Sequence, residues 1–225
     1  MELIDTFFNV PVLIRTFPLL IQGLWITLQL GVVSIIAGLV LGLALALMRL
    51  YAPVWVQVLA KIYINFMRSI PLLVLLIIIY YALPFVGIRL SPFMSAVSAL
   101  SLVSAAYTAE IFRAGIEAIA KGQFEASAAL GLSTRSMMVD VILPQAIRIV
   151  IPPLTNNCIN VMKDTALASV VAMPDLLKQA TQAQALAANP TPLVGAALLY
   201  LLLLLPLVQM VSWVERRNAS GGKTA

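Results

Sequence analysis

Histidine is absent from this 225-residue chain, and cysteine occurs once, at Cys158. The first absence removes Ser-His-Asp and Cys-His catalysis, imidazole zinc ligation and a histidine proton switch. The second removes an internal disulfide and any cysteine metal site. Charge is scarce as well: 10% of the residues are charged, against about 25% in a soluble domain. No Gly-x4-Gly-Lys-Ser/Thr loop for nucleotide phosphates occurs. The N-terminus also lacks the basic stretch before an apolar run that marks a cleavable leader. Residues 1–18 mix Glu2, Asp5, Asn9 and Arg15 with Phe7, Phe8, Val10 and Leu13, and read as a segment lying in a membrane interface.

Apolar residues make up 62% of the chain, with a mean hydropathy of +1.02. One globular core of this size cannot hide so much apolar surface. The chain is therefore read as an all-α integral membrane protein. Soluble enzyme, disordered chain and nucleic-acid-binding domain are excluded, and the net charge of +5 informs topology first.

A bilayer core needs about 20 helical residues. Five segments qualify: Leu19 to Met48, Ser69 to Val86, Pro92 to Ile111, Pro153 to Ala172 and Leu193 to Trp213. An apolar lead-in from Val54, broken by Lys61 and Arg68, precedes the second. Ser91 is placed to cap the third, with Pro92 at its first position. Ten Lys and Arg residues, among them Arg49, Lys61, Arg113, Lys121, Arg135, Arg148, Arg216 and Arg217, fall on one side. Arg15, Arg89 and Lys178 fall on the other, and Lys163 lies inside the fourth span. The heavier side is expected in the cytoplasm, with the N-terminus outside and the C-terminus inside. Residues 216–225 then form a cytoplasmic tail, polar and expected to fray from Asn218.

Residues 112–150 form the one long cytoplasmic connection, with a loop over about 117–148 at its centre. A helix over Gln123 to Leu130 should stop at Gly131, a left-handed C′ residue. Ser133 should cap a second helix running towards Leu143, with Pro144 ending it. Phe124, Leu130 and Leu132 have no evident core within the chain. This helix-turn-helix either lies on the membrane surface or enters a groove on a partner.

In the fourth span, Asn156, Asn157, Asn160, Lys163 and Asp164 fall within an arc of about 120° on a wheel of 100° per residue. Charge facing lipid costs about 2.5–3.5 kcal/mol per residue, so this face must turn to protein or water. It serves either a polar helix–helix seam or a substrate route. Glu110, in the third span, is a further candidate, and an i,i+3 pair with Arg113 is its alternative role. Gly38-x3-Gly42 should let a second helix approach the first span closely.

Glu125-Ala126-Ser127, three residues, Gly131, nine residues, then Val141-Ile142-Leu143-Pro144 resembles the "EAA" loop of ABC importer permeases, E-A-A-x3-G-x9-I-x-L-P, with Ser127 and Val141 as conservative departures. Phe66-Met67-Arg68-Ser69-Ile70-Pro71-Leu72 is similar to the F-R-[GS]-x-P-L stretch of the polar amino-acid branch, the histidine/glutamine/glutamate/arginine-type permeases, although Met67 separates the phenylalanine from the arginine. Ala109-Glu110-Ile111-Phe112-Arg113-Ala114-Gly115 and Lys163-Asp164-Thr165-Ala166-Leu167 fit the same branch, and the resemblance covers roughly residues 19–215.

The resemblance implies the permease subunit of a binding-protein-dependent importer in the bacterial inner membrane, moving a polar amino acid by alternating access. It implies a second permease copy or relative, two ATPase subunits, and a periplasmic or lipid-anchored amino-acid-binding protein. ATP and Mg would be held by the ATPase, with no cofactor on this chain. Glu125, Ala126, Ser127, Leu130, Gly131, Leu132 and Ser133 would contact the ATPase. A free amino acid is zwitterionic, so Asp164 could meet its ammonium and Lys163 its carboxylate. An ion channel with the fourth span lining a pore is the competing reading, but it leaves the cytoplasmic loop unexplained.

Overall fold

The structure, a computed structural model, describes residues 6–221, with side chains described as far as Ser212. Helix α1 runs from Val10 to Tyr51 without a break at Pro18, and Asn9 Oδ1 caps it by accepting from Val12 N at 3.1 Å. Its 42 residues extend about 63 Å, twice what a bilayer core requires. The segment expected to lie in the interface is thus continuous with the first span from Val10 on; its first five residues lie outside the described residues.

Helix α2 spans Val54–Ser69, and α3, Leu72–Ile77, continues through a π turn and a 3-10 turn to Val86. Between α2 and α3 the chain bends by 101°. Ile70, held extended at φ −81° and ψ 132° before Pro71, makes the corner. The expected second span is therefore the far arm of an elbow. Among the described residues, four helices are long and apolar enough to cross a membrane, or five if the bent pair counts as one span.

Helix α4, Pro92–Glu117, begins as expected, with Ser91 Oγ accepting from Met94 N at 3.2 Å, and runs on past Ile111. Helix α5 is Lys121–Ala129. Gly131 follows with φ +71°, and Ser133 Oγ accepts from Ser136 N at 3.1 Å to cap α6, Thr134–Ser136. The loop departs from expectation at Pro144. A π turn, Met137–Ile142, leads directly into α7, Leu143–Asp164, and then a 3-10 turn, Thr165–Val171. Pro144 lacks the N–H that a regular helix would need, but it sits where the π turn has already shifted the bonding pattern. The second arm of the loop and the fourth span are one helical run of 38 residues. Helix α8 is Leu176–Ala187, and α9 runs from Thr191 through Pro206 and Asn218 to Gly221. The end of the expected tail, 222–225, lies outside the described residues.

The bundle is built on α1 against α4. A Cβ on Gly38 would stand 2.6 Å from Ser104 Oγ, and one on Gly42 would stand 2.9 Å from the carbonyl of Ala105. The expected close approach is made within the chain. Helix α2 packs across the same pair through Ile64 against Ala46, Ala106 and Ala109, and Tyr63 Oη donates to the Leu102 carbonyl at 3.0 Å.

At the end of the bundle away from α5, Gly23 lets α1 press on the start of α8, and Thr27 Oγ1 accepts from Leu176 N at 3.0 Å. Asp175 caps α8, its Oδ1 accepting from Lys178 N at 3.0 Å. Its carboxyl is fully buried, and Oδ2 has no hydrogen-bond partner among the described residues. Burial pushes its pKa up to about 6, which outweighs the opposing pull of the helix N–H groups. The folded chain then holds more protons than the unfolded chain between the ordinary carboxyl range and pH 6. This contribution to stability is complete at low pH and is lost as pH rises through that window, on the order of 2–3 kcal/mol. Asp175→Asn keeps the cap and removes the charge. Its melting midpoint in detergent should exceed the parent's at pH 7.5 by clearly more than at pH 4.5. An equal shift at both pH values would disprove the assignment.

Candidate functional site: a polar cavity between α4 and α7

A cavity of about 400 Å³ lies between two walls. One wall is Leu72 of α3 with Leu100, Val103, Ser104 and Tyr107 of α4. The other is α7, which contributes Asn157, Asn160, Val161, Lys163 and Asp164. Four of the five residues on the polar arc therefore meet in one hollow. Asn156 stands exposed on the same helix and is not among the lining residues.

The α7 wall is fixed by its neighbour. Asn157 Nδ2 donates to Ser104 Oγ and Thr108 Oγ1, both at 3.2 Å. Ser104 and Thr108 are the residues that Gly38 and Gly42 admit against α1, so the glycine seam sets the position of Asn157. Among the described residues, no ion pair joins Lys163 to Asp164. Asp164 closes α7 and is half-buried, whereas Lys163 is exposed.

Glu110 is not among the lining residues. It pairs with Arg113, as its alternative role required, and with Arg49 of α1 at 2.6 Å; Arg113 also pairs with Glu117. The partner on α1 is 61 positions away, and nothing local in the sequence points to it. The sequence reading also missed Tyr107, whose ring carries the Arg68 guanidinium, with Cζ 5.5 Å from the ring centroid. A basic residue just before the expected second span, three positions ahead of a proline, was the available signal.

In the loop, Glu125, Ala126, Leu130, Gly131, Leu132 and Ser133 are exposed. Ser127 is buried and donates to the Gln123 carbonyl at 2.7 Å. Phe124 does have a core: it packs against the cluster of Ile119, Ile142 and Ala146, which corrects the expectation for that residue. Leu130 is 79% exposed, so the turn presents an apolar tip.

Residues 38–220 match the model of the binding-protein-dependent transport system inner membrane component. The arginine transport system permease protein ArtQ of Bacillus subtilis is 42% identical over 92% of this chain and 95% of its own. The probable glutamine ABC transporter permease protein GlnM of the same organism is 38% identical over 93% and 97%. The crystal structure of an amino acid ABC transporter with histidines superposes with a TM-score of 0.86, at 37% identity, over 91% of this chain and 96% of that one. An inward-facing methionine ABC transporter, MetNI, at 24% identity and a TM-score of 0.73 over 89% of this chain and 96% of that one, shares the fold. The chain belongs to the inner-membrane permease components of binding-protein-dependent transport systems, in the polar amino-acid branch of the ABC permeases.

Proposed function

We propose that this permease moves a free polar amino acid as its zwitterion through the cavity between α4 and α7. One observation carries the reading: Asn157, Asn160, Lys163 and Asp164 share a single hollow, so one anion, one cation and two amides can replace a hydration shell. Relatives whose names state glutamine and arginine transport support the substrate class. The chain is the transmembrane, non-catalytic subunit of a bacterial inner-membrane importer. Its partners are a second permease copy or relative, two ATPases that hold ATP and Mg, and an amino-acid-binding protein.

Asp164 receives the ammonium. Asp164→Asn keeps the shape and removes the charge, and a lost charge-assisted bond is worth about 1.5–3 kcal/mol, or about 10- to 150-fold in affinity. The assembled complex should still hydrolyse ATP yet transport poorly at limiting substrate. If Asp164 is only a helix seam, dimer yield falls and the surviving complexes transport normally. Reconstituted uptake and detergent-stable dimer yield on one preparation separate the two.

The α5–Gly131–α6 turn is the coupling element that seats in an ATPase groove. Its exposed Leu130 and the left-handed Gly131 support this. A Cβ at Gly131 would meet nothing within 4 Å, so any substitution acts through backbone strain alone. Gly131→Val should reduce ATPase co-purification and uptake while the permease still inserts. Gly131→Asn should lose less, because asparagine tolerates a positive φ. Normal co-purification and uptake by Gly131→Val would refute this role.

The loop faces the cytoplasm and the N-terminus faces outside, as the basic residues indicate. In a Cys158→Ser background, a cysteine at Gly122 should resist an impermeant external thiol reagent in intact cells, and one at Ala187 should react. The reverse pattern would invert the topology.

A further inference from the structure

The cavity's α7 wall holds its anion, but the α4 wall holds a feature that the proposed function leaves unused. Arg68 ends α2, just before the 101° elbow, and its guanidinium lies over the ring of Tyr107, a cavity-lining residue. Leu72, just past the elbow, lines the cavity too. Arg68 is exposed and forms no salt bridge among the described residues; Glu110, one turn from Tyr107 on α4, feels its charge but is held by Arg49 and Arg113. We infer that Arg68 is the carboxylate-recognising residue of this permease, and that it draws the substrate's carboxylate to the α4 wall while Asp164 draws the ammonium to the α7 wall. This rests on the cavity being the substrate site.

Three physical points favour Arg68 over Lys163 for that task. The cation–π contact with Tyr107, at 5.5 Å, is not a hydrogen bond, so it holds the guanidinium without using up the N–H donors of the fork. A planar fork donates to both carboxylate oxygens at once, whereas an ammonium meets them as a point charge. Lys163 and Asp164 are also adjacent on one helix, whereas Tyr107, the ring under Arg68, and Asp164 belong to opposite walls. Two poles of one small molecule held on opposite walls tie the walls together, and two poles held on one wall do not. Lys163 is then free to meet the substrate's side chain.

The test uses the assembled permease–ATPase complex in lipid nanodiscs without binding protein, so that only the transmembrane site is read. Binding of radiolabelled glutamine and arginine is measured by competition with the unlabelled amino acid and with its α-carboxamide. The carboxamide keeps the ammonium and the side chain but lacks the carboxylate. The parent complex should prefer the amino acid to its carboxamide by about 10- to 150-fold. Arg68→Gln should abolish that preference, Arg68→Lys should restore part of it, and Lys163→Gln should leave it intact. If Arg68→Gln keeps the preference and Lys163→Gln loses it, Arg68 is not the carboxylate partner and the cavity reading survives. If the parent binds neither amino acid, the cavity reading falls and takes this inference with it. If Arg68→Gln fails to assemble, Arg68→Lys decides: undiminished preference overturns the proposal, and a reduced preference in a stable complex supports it.

Discussion

The approach of α1 to α4 governs the rest of the molecule. Two glycines one turn apart, Gly38 and Gly42, bring the α1 backbone against Ser104 and Thr108. Within a bilayer there is no hydrophobic gain in pressing two apolar helices together, so close van der Waals contact and shared hydrogen bonds have to hold them. Here the contact also has a chemical product. The two hydroxyls on the far side of the seam accept from Asn157 and fix the polar edge of α7. Any side chain at Gly42 would meet the backbone of α4 before it could be relieved by a rotamer change.

Polar groups elsewhere obey the same economy of partners. Glu110, Arg49, Arg113 and Glu117 neutralise one another where α1 and α4 approach the loop. Asp175 is spent on capping α8. Arg68, Lys163 and Asp164 stay outside ion pairs among the described residues, and all three are at or beside the cavity. Ionisable groups within a membrane-spanning bundle are costly, so a shared polar hollow is where they can remain solvated.

Much of this was legible in the chain because it depends on local rules. A serine before a proline caps α4, a glycine in the left-handed region ends the turn after α5, and a 3.6-residue period puts asparagines, lysine and aspartate on one face of α7. What could not be read were outcomes of tertiary geometry. Pro144 looks like a stop, but a π turn ahead of it removes the conflict. The apolar run after Val54 looks like a prelude to a span, but extended Ile70 turns it into an elbow. Phe124 looks stranded until the start of α7 arrives beside it. The Arg49–Glu110 pair and the Arg68–Tyr107 stack join residues far apart in sequence, and no spacing rule reaches them.

The continuity of the chain from Thr134 to Val171 has a mechanical meaning. The run begins at the cap set by Ser133 and passes Asp164 before it ends. At about 1.5 Å per residue it is a lever of about 57 Å, on which a tilt of about 5° would carry the far end about 5 Å. Its first third contains the π turn, and Pro152 and Pro153 interrupt the bonding further on, so bending at these points would absorb part of any tilt applied at one end. At the π turn, Phe124 packs against Ile142 and Ala146, so a small apolar cluster outside the polar cavity sets how stiffly that end of the run is held.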